Sequence, residues 1–419
     1  MQLITPYNVT VTATISKEGT NKLVSSRVLI LGGTGRVGSS TATALSQLCP
    51  GLQIQVGGRN RERGMALMSS LGENSKFLEF DIYNKRMLLR ALKGVDVVVN
   101  AVGPFKRREK CAVLEAAIST KTAYVDVCDD TVYALRAKGL HEKAIAAGIP
   151  ALTTAGICPG VSNVMAAELV DAARNKDGTK PESLRFSYYV AGSGDVGPTM
   201  LESSMHLLAE DVIAYDKGKL LTSEENIQYY LHFVKLEPYS GVLNINFSKG
   251  IGKKDVYLLN LPEVRSAHEI LKVPTVSARF GSEPFFWNWG MQAFARILRK
   301  ETVRDKDEIL RFVQLIDPLI RVVDNISGQS LSMRVDLDCK NGKSTMGLFT
   351  HKKLSVCAGY ATAAFVLAVL EGSTQPGVWF PEEPEGIATE ARKILLERAT
   401  RGTSNFVMHK FFSQTDKLE

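Results

Sequence analysis

The six cysteines of this 419-residue sequence never stand at Cys-x-x-Cys spacing, and none of its six histidines has a partner at metal-ligand spacing. A zinc fold is therefore excluded, and the cysteines read as free thiols of a reducing compartment. Charge of one sign is also scarce in any one place. The 51 Lys and Arg against 44 Asp and Glu leave +7, spread over short runs such as Lys106 to Arg108, which is no footprint for nucleic acid. No Gly-x-Ser-x-Gly elbow, His-Glu-x-x-His pair or phosphate-loop Gly-Lys-Ser/Thr stands in a suitable context. No secretory signal opens the chain. The uncharged run Leu354–Leu370 has seventeen residues, short of the roughly 20 needed to span a bilayer. Its small residues suit a core helix, and no integral membrane span is expected.

What is present is a rhythm. From Arg27 short β-branched runs alternate with helical stretches, which argues for βαβ units and a doubly wound parallel sheet. Strands are expected at Arg27–Leu31, Leu52–Val56, Lys76–Phe80, Asp96–Asn100, Ala123–Val127 and Ile149–Thr153. Helices are expected near Arg36–Leu48, Arg61–Leu71, Lys85–Leu92, Arg108–Ser119 and Val132–Ala147. After Thr153 the pattern changes to one helix, Val161–Ala173, then strand-like alternation at Leu184–Val190, Gly241–Phe247, Asp255–Leu259 and Ser330–Leu337. The division that follows is a Rossmann domain over 27–155, an inserted α+β domain for substrate or oligomerisation over 156–350, helices returning to the first domain over 351–400, and a tail over 401–419. The first 26 residues hold eight Ser or Thr, one acid and no apolar run. They read as a plastid or mitochondrial transit segment or as a disordered arm. The lack of Arg before Arg27 disfavours the mitochondrial version.

The end of the first strand carries the chemistry. Gly32, Gly33, Thr34, Gly35, Arg36, Val37 and Gly38 place Gly33, Gly35 and Gly38 in a Gly-x-Gly-x-x-Gly pattern at a strand-to-helix junction. There backbone amides and the helix dipole receive a pyrophosphate, while the glycines admit the tight turn and the close approach. At the tip of strand two, where an acid would hold the ribose hydroxyls of NAD, stand Arg59 and Asn60. A guanidinium there pairs with a 2′-phosphate, so the expected cofactor is NADP. Asp81, after strand three, is placed either to meet the adenine edge or to cap the next helix. Asn100, Ala101, Val102, Gly103 and Pro104 form the loop at the carboxyl end of strand four, where the nicotinamide is expected. A Tyr-x-x-x-Lys pair for proton transfer occurs only at Tyr215 and Lys219, interrupted by Gly218 and far from the sheet, so short-chain dehydrogenase chemistry is disfavoured.

Leu31–Gly38, Asn100–Phe105, Tyr124–Asp126 and Ala155–Asn163 together resemble the saccharopine dehydrogenase-like family, and Phe280–Gly290 and Gly372–Pro384 resemble its plant branch. The motifs are dense from Arg27 to about Asn163 and looser to about Pro384. The resemblance implies pyridine-nucleotide redox chemistry on a small-molecule substrate, in founding members on a carbon–nitrogen bond; the composition of the first 26 residues gives the expected location as the chloroplast, with the cytoplasm as the alternative. The substrate's identity does not carry over.

For catalysis, Asp126 and Tyr124 at the end of strand five are the nearest titratable candidates, with a loop-fixing acceptor as the other reading of Asp126. Pro159–Asn163 opens a helix whose Ser162 or Asn163 serves as a cap, and its amides could face an anionic substrate group. Lys106, Arg107, Arg108 and Lys110 read either as anion recruiters or as a solvated helix face. Phe280–Trp289 packs five aromatic rings into ten residues. Its readings, in order, are a core or homodimer contact, a lid over an apolar substrate, and a peripheral membrane anchor. A non-catalytic NADP(H) sensor or scaffold using that segment is the rival to the oxidoreductase.

Overall fold

The structure, a computed structural model, describes residues 23, 25–106, 108–175, 178–192, 205, 207–208, 210–221, 237–248, 250–297, 311, 314–315, 318 and 329–412. The arm before residue 23, Arg107 and the last residues from 413 lie outside the described residues. The first half alternates as the periodicity dictates. β1 (Arg27–Leu31) leads to α1 (Arg36–Leu48), β2 (Gln53–Gly58) to α2 (Arg61–Leu71), and β3 (Ser75–Glu79) to α3 (Lys85–Ala91). β4 (Val97–Asn100) then precedes α4 (Ala112–Thr120), and β5 (Ala123–Asp126) precedes α5 (Thr131–Lys138), α6 (His141–Ala147) and β6 (Pro150–Leu152).

All pairings in this sheet are parallel, in the order β3-β2-β1-β4-β5-β6, with one further strand beyond β6. The order reverses between β1 and β4. That is the switch point where the carboxyl ends of the strands leave a crevice for a ligand. Two helix expectations are corrected. The stretch Val132–Ala147 is broken at Gly139 and Leu140 into α5 and α6, as glycine's poor helix propensity favours. Helix α4 starts at Ala112, so Arg108 and Lys110 precede it and do not form a helix face.

The second half begins with α7 (Val161–Asn175), β7 (Pro181–Ala191), β8 (Ala214–Asp216), β9 (Lys219–Leu221), β10 (Leu243–Asn246) and β11 (Lys253–Leu258). It continues with α8 (Pro262–Leu271), β12 (Thr275–Glu283), α9 (Phe285–Ile297), β13 (Ser330–Cys339), β14 (Ser344–His351) and α10 (Leu354–Leu370). β15 (Gly377–Trp379), α11 (Thr389–Ala399) and β16 (Asn405–Phe412) end it. A mixed sheet runs β10-β11-β12-β7-β13-β14-β16, with β8 and β9 attached to β12. The segment from 401, expected as a tail, instead places β16 antiparallel to β14 at the end of that path. Residues 405–409 of the strand are half-buried, and its register against β14 shifts between Met346 and Leu348. Strand β15 pairs parallel to β6 and so extends the first sheet from the far end of the chain.

Helix α10 has no amphipathic face because it needs none: thirteen of its residues are buried. It lies against α1 so closely that a Cβ on Gly359 would come within 2.6 Å of Ser40. One continuous apolar core contains Val28 and Ile30 of β1, Val164 and Leu169 of α7, Phe186 of β7 and Phe365 of α10. The two sheets are therefore joined through helices α7 and α10. Among the described residues no helix is long and apolar enough to cross a membrane.

Candidate functional site

At the crevice the glycines are dictated by contact. Gly32 adopts φ +73°, and a Cβ there would meet the carbonyl oxygen of Ala101 at 2.7 Å and Cγ2 of Val102 at 3.1 Å. A Cβ on Gly33 would meet Val56 Cγ1 at 2.6 Å, and one on Gly38 would meet the Gly32 oxygen at 2.4 Å and Gly33 Cα at 2.7 Å. Gly35 differs: its nearest neighbour is the Gly32 oxygen at 3.1 Å, and it is exposed. Three glycines thus close the turn and the fourth leaves its outer side open. No side chain caps α1, so its first amides offer their positive end to an anion.

The rest of the expected cofactor set divides cleanly. The amide of Gly33 donates to the carbonyl of Gly57 at 3.1 Å. A Cβ on Gly58 would lie 2.8 Å from Thr34 Oγ1, so the turn leans on the tip of β2 just before exposed Arg59. Ala101 and Val102 press on Gly32 from the other side, with Gly103 exposed and Pro104 half-buried beyond them. Arg36 is exposed and Val37 half-buried on the first turn of α1. Asn60, by contrast, is occupied: its Oδ1 accepts from the Arg63 amide at 2.8 Å and caps α2. Asp81 accepts from the Tyr83 amide at 3.0 Å in a local turn, while the cap of α3 is Asn84. The capping alternative for Asp81 is thereby corrected.

Asn100, Tyr124 and Asp126, at the ends of β4 and β5, are fully buried. Asn100 Nδ2 donates to the Tyr124 hydroxyl at 3.2 Å, and that hydroxyl donates to Asp126 Oδ2 at 2.9 Å. Asp126 also accepts from the amides of Cys128 and Thr154 at 3.0 and 2.9 Å and from Thr153 Oγ1 at 3.1 Å. Burial pushes its carboxyl up to about 6 although these bonds oppose the shift. The Tyr124 hydroxyl is pushed well up by burial and by neighbouring Asp126. The group ties the ends of β4, β5 and β6 together. Beside it Phe105 is buried edge-on to Tyr133 at 5.1 Å, and Arg108 Nε donates to the Pro104 carbonyl at 2.7 Å. Lys106 pairs with Glu210 at 2.5 Å, linking the segment after β4 to the second half of the chain.

A second polar group, at the junction of the two halves, escapes sequence reasoning. Glu263 in the first turn of α8 is 1% exposed, and Tyr188 donates to its Oε1 at 2.7 Å. Ser162 Oγ lies 3.4 Å from the same oxygen. Asn163 does not cap α7 in the usual sense; its Oδ1 accepts from the Gly160 amide at 3.0 Å, and its Nδ2 donates to Glu382 at 2.8 Å. The outer carboxylate oxygens of Glu263 and Glu382 are buried without a hydrogen-bond partner. Burial raises both acids, Glu382 to about 7. The only signal in the sequence was Pro159–Asn163, which marks one side of this group and none of its acids.

The parallel sheet with an uncapped glycine turn at its switch point defines a dinucleotide-binding Rossmann unit. Residues 28–152 match the family model described as the saccharopine dehydrogenase NADP binding domain, which supports NADP as the cofactor. Among solved structures, the histidine-tagged apo form of saccharopine dehydrogenase (L-Glu forming) from Saccharomyces cerevisiae is similar across both halves. The TM-score is 0.62 at 15% identity, over 93% of this chain and 100% of that one. At that identity the likeness is one of fold. Pen from Bacillus thuringiensis (TM-score 0.27, 18% identity, 38% of this chain and 59% of that one) and serine dehydrogenase from Escherichia coli (0.25, 16%, 30% and 81%) match much less. No curated protein matches the chain in sequence. Among the described residues no group of three or more His, Cys, Asp or Glu is placed to hold a metal.

Proposed function

We propose that the chain is an NADP-dependent oxidoreductase that moves hydride to or from a small substrate at a carbon–nitrogen bond. The family match and the fold neighbour, both dehydrogenases by description, support the oxidoreductase class. The observation that carries the reading is the open side of Gly35 on an uncapped helix, walled by Ala101 and by Thr34 against Gly58.

In this reading the amides opening α1 bind the pyrophosphate, Arg59 holds the 2′-phosphate, and the Ala101–Pro104 loop positions the nicotinamide, which supplies or accepts the hydride when bound. Asp126 and Tyr124 act on that loop through Asn100: Asp126 bonds the ends of β5 and β6, Tyr124 joins Asp126 to Asn100, and Asn100 Oδ1 accepts from the Val102 amide at 3.4 Å. The test is consumption of NADPH in the presence of imines, oxo acids with amines, or enones. Turnover with an imine or an amine–oxo acid mixture is expected; tight NADPH binding with no turnover on any of them would move the protein to the sensor class.

A specific feature favours that second class enough to state it. Phe285, Phe286 and Trp289 on α9 are 64%, 49% and 62% exposed, whereas Asn288 between them is buried and bonded to Ser282. Phe280 in β12 packs against the core, whereas these three rings do not, and we propose them as a homodimer contact, ahead of a peripheral lipid contact. Membership of the plant branch and a chloroplast location are proposals that rest on Phe280–Gly290, Gly372–Pro384 and the Ser/Thr-rich start of the sequence.

A further inference from the structure

We propose that Glu263 is the substrate-binding acceptor of this site, its free carboxylate oxygen receiving a nitrogen-borne hydrogen from an amine or ammonium group. The inference rests on the oxidoreductase reading above and names the residue that would select its substrate. The carboxylate is almost wholly buried, yet only one of its oxygens is engaged: Tyr188 and Ser162 share Oε1, and Oε2 has no partner. A buried acceptor of this kind is costly unless something occupies it.

Its position fits a substrate. Glu263 comes from α8 of the second half but meets Ser162 on the first turn of α7, the helix reached by the 153–160 turn from the carboxyl end of β6. Cys158 stands on that same turn and is the one described cysteine that is not fully buried. The thiol of Cys158 is raised by burial and then by Glu263. Glu263 itself is raised by burial, and the hydrogen bonds from Tyr188 and Ser162 oppose the shift. A carboxylate ligand would be repelled there, and a neutral hydroxyl would leave the charge uncompensated, whereas an ammonium or protonated amine satisfies both the charge and the orphan oxygen.

The test uses the full chain loaded with NADP and follows alkylation of Cys158 by iodoacetamide, read by peptide mass spectrometry. n-Butylamine is expected to slow labelling at least several-fold, with n-butanol and butyrate without effect. In Glu263→Gln the amine protection is expected to vanish while NADPH binding by calorimetry stays within about twofold. In Tyr188→Phe, which keeps the charge, protection is expected to persist. Equal protection by butyrate or n-butanol, or undiminished amine protection in Glu263→Gln, would overturn the proposal. If Glu263→Gln does not fold, the comparison of the three probes on the unaltered protein decides it. Loss of NADPH binding in the unaltered protein would instead sink the oxidoreductase reading, so the two failures are separable.

Discussion

The role proposed for Arg59, to decide between the two nicotinamide cofactors, rests on its place between the tip of β2 and the Asn60 cap, one residue beyond the contact of Gly58 with Thr34. Replacing it with Asp puts a carboxylate where the 2′-phosphate would lie. Arg59→Asp is expected to weaken NADPH by at least tenfold, about 1.4 kcal/mol or more, and NADH by much less. Equal losses, read by calorimetry, would remove Arg59 from the phosphate site. Glu382 carries a second residue-scale prediction. Its folded carboxyl sits near 7 against an ordinary 4.5, so between those values the folded chain holds a proton that the unfolded chain has lost. Stability contributed by that proton is present below about 4.5 and declines as pH rises toward 7. Glu382→Gln is expected to flatten this slope in urea titrations between pH 4.5 and 7, and an unchanged slope would show that the acid is not raised. The glycine turn was legible because its pattern is local: contacts within a few residues and one strand away require Gly32, Gly33 and Gly38. Glu263 and Glu382 were not, because a glutamate reads as a surface residue until tertiary packing buries it.

At the scale of elements, α10 depends on Gly359. Gly359→Leu drives a side chain into Ser40 of α1, where the first obstructing atoms include backbone at 2.6 Å. Overpacking of this kind is expected to cost roughly 1–3 kcal/mol or more, seen as a lower unfolding midpoint, and a neutral result would mean the two helices separate freely. Helix α9 makes the opposite prediction. Triple replacement of Phe285, Phe286 and Trp289 by Ser should leave the unfolding midpoint nearly unchanged, since these rings are exposed, but convert a dimer to a monomer in sedimentation velocity. A monomeric unaltered protein would refute the homodimer contact. Helices α1 and α2 were legible to the residue because the glycine turn that opens α1 and the Asn60 cap that opens α2 are written locally. Strand β15 was not: three residues at Gly377–Trp379 carry no period, and only their pairing with β6 makes them a strand. Strand β16 escaped for a similar reason, its partner β14 lying far back along the chain.

For the whole molecule, the core that runs from β1 through α7 and α10 to β7 makes the two sheets one cooperative unit rather than two beads. A single calorimetric unfolding transition is expected, and bound NADPH should raise it as a whole. Two resolved transitions, with only one moved by the nucleotide, would contradict that coupling. The rhythm of the Rossmann sheet was readable from the first 155 residues and the return of α10 from its uncharged run, whereas the pairing of β15 with β6 was not.

The account's central claim is that the open glycine turn, with Arg59 beside it, receives a doubly phosphorylated dinucleotide. Isothermal titration of the unaltered chain with NADPH and NADH at equal ionic strength tests it most directly. Micromolar or tighter binding of NADPH, at least tenfold tighter than NADH, is the expected result. No heat of binding for NADPH at millimolar concentration, or a preference for NADH, would contradict the claim.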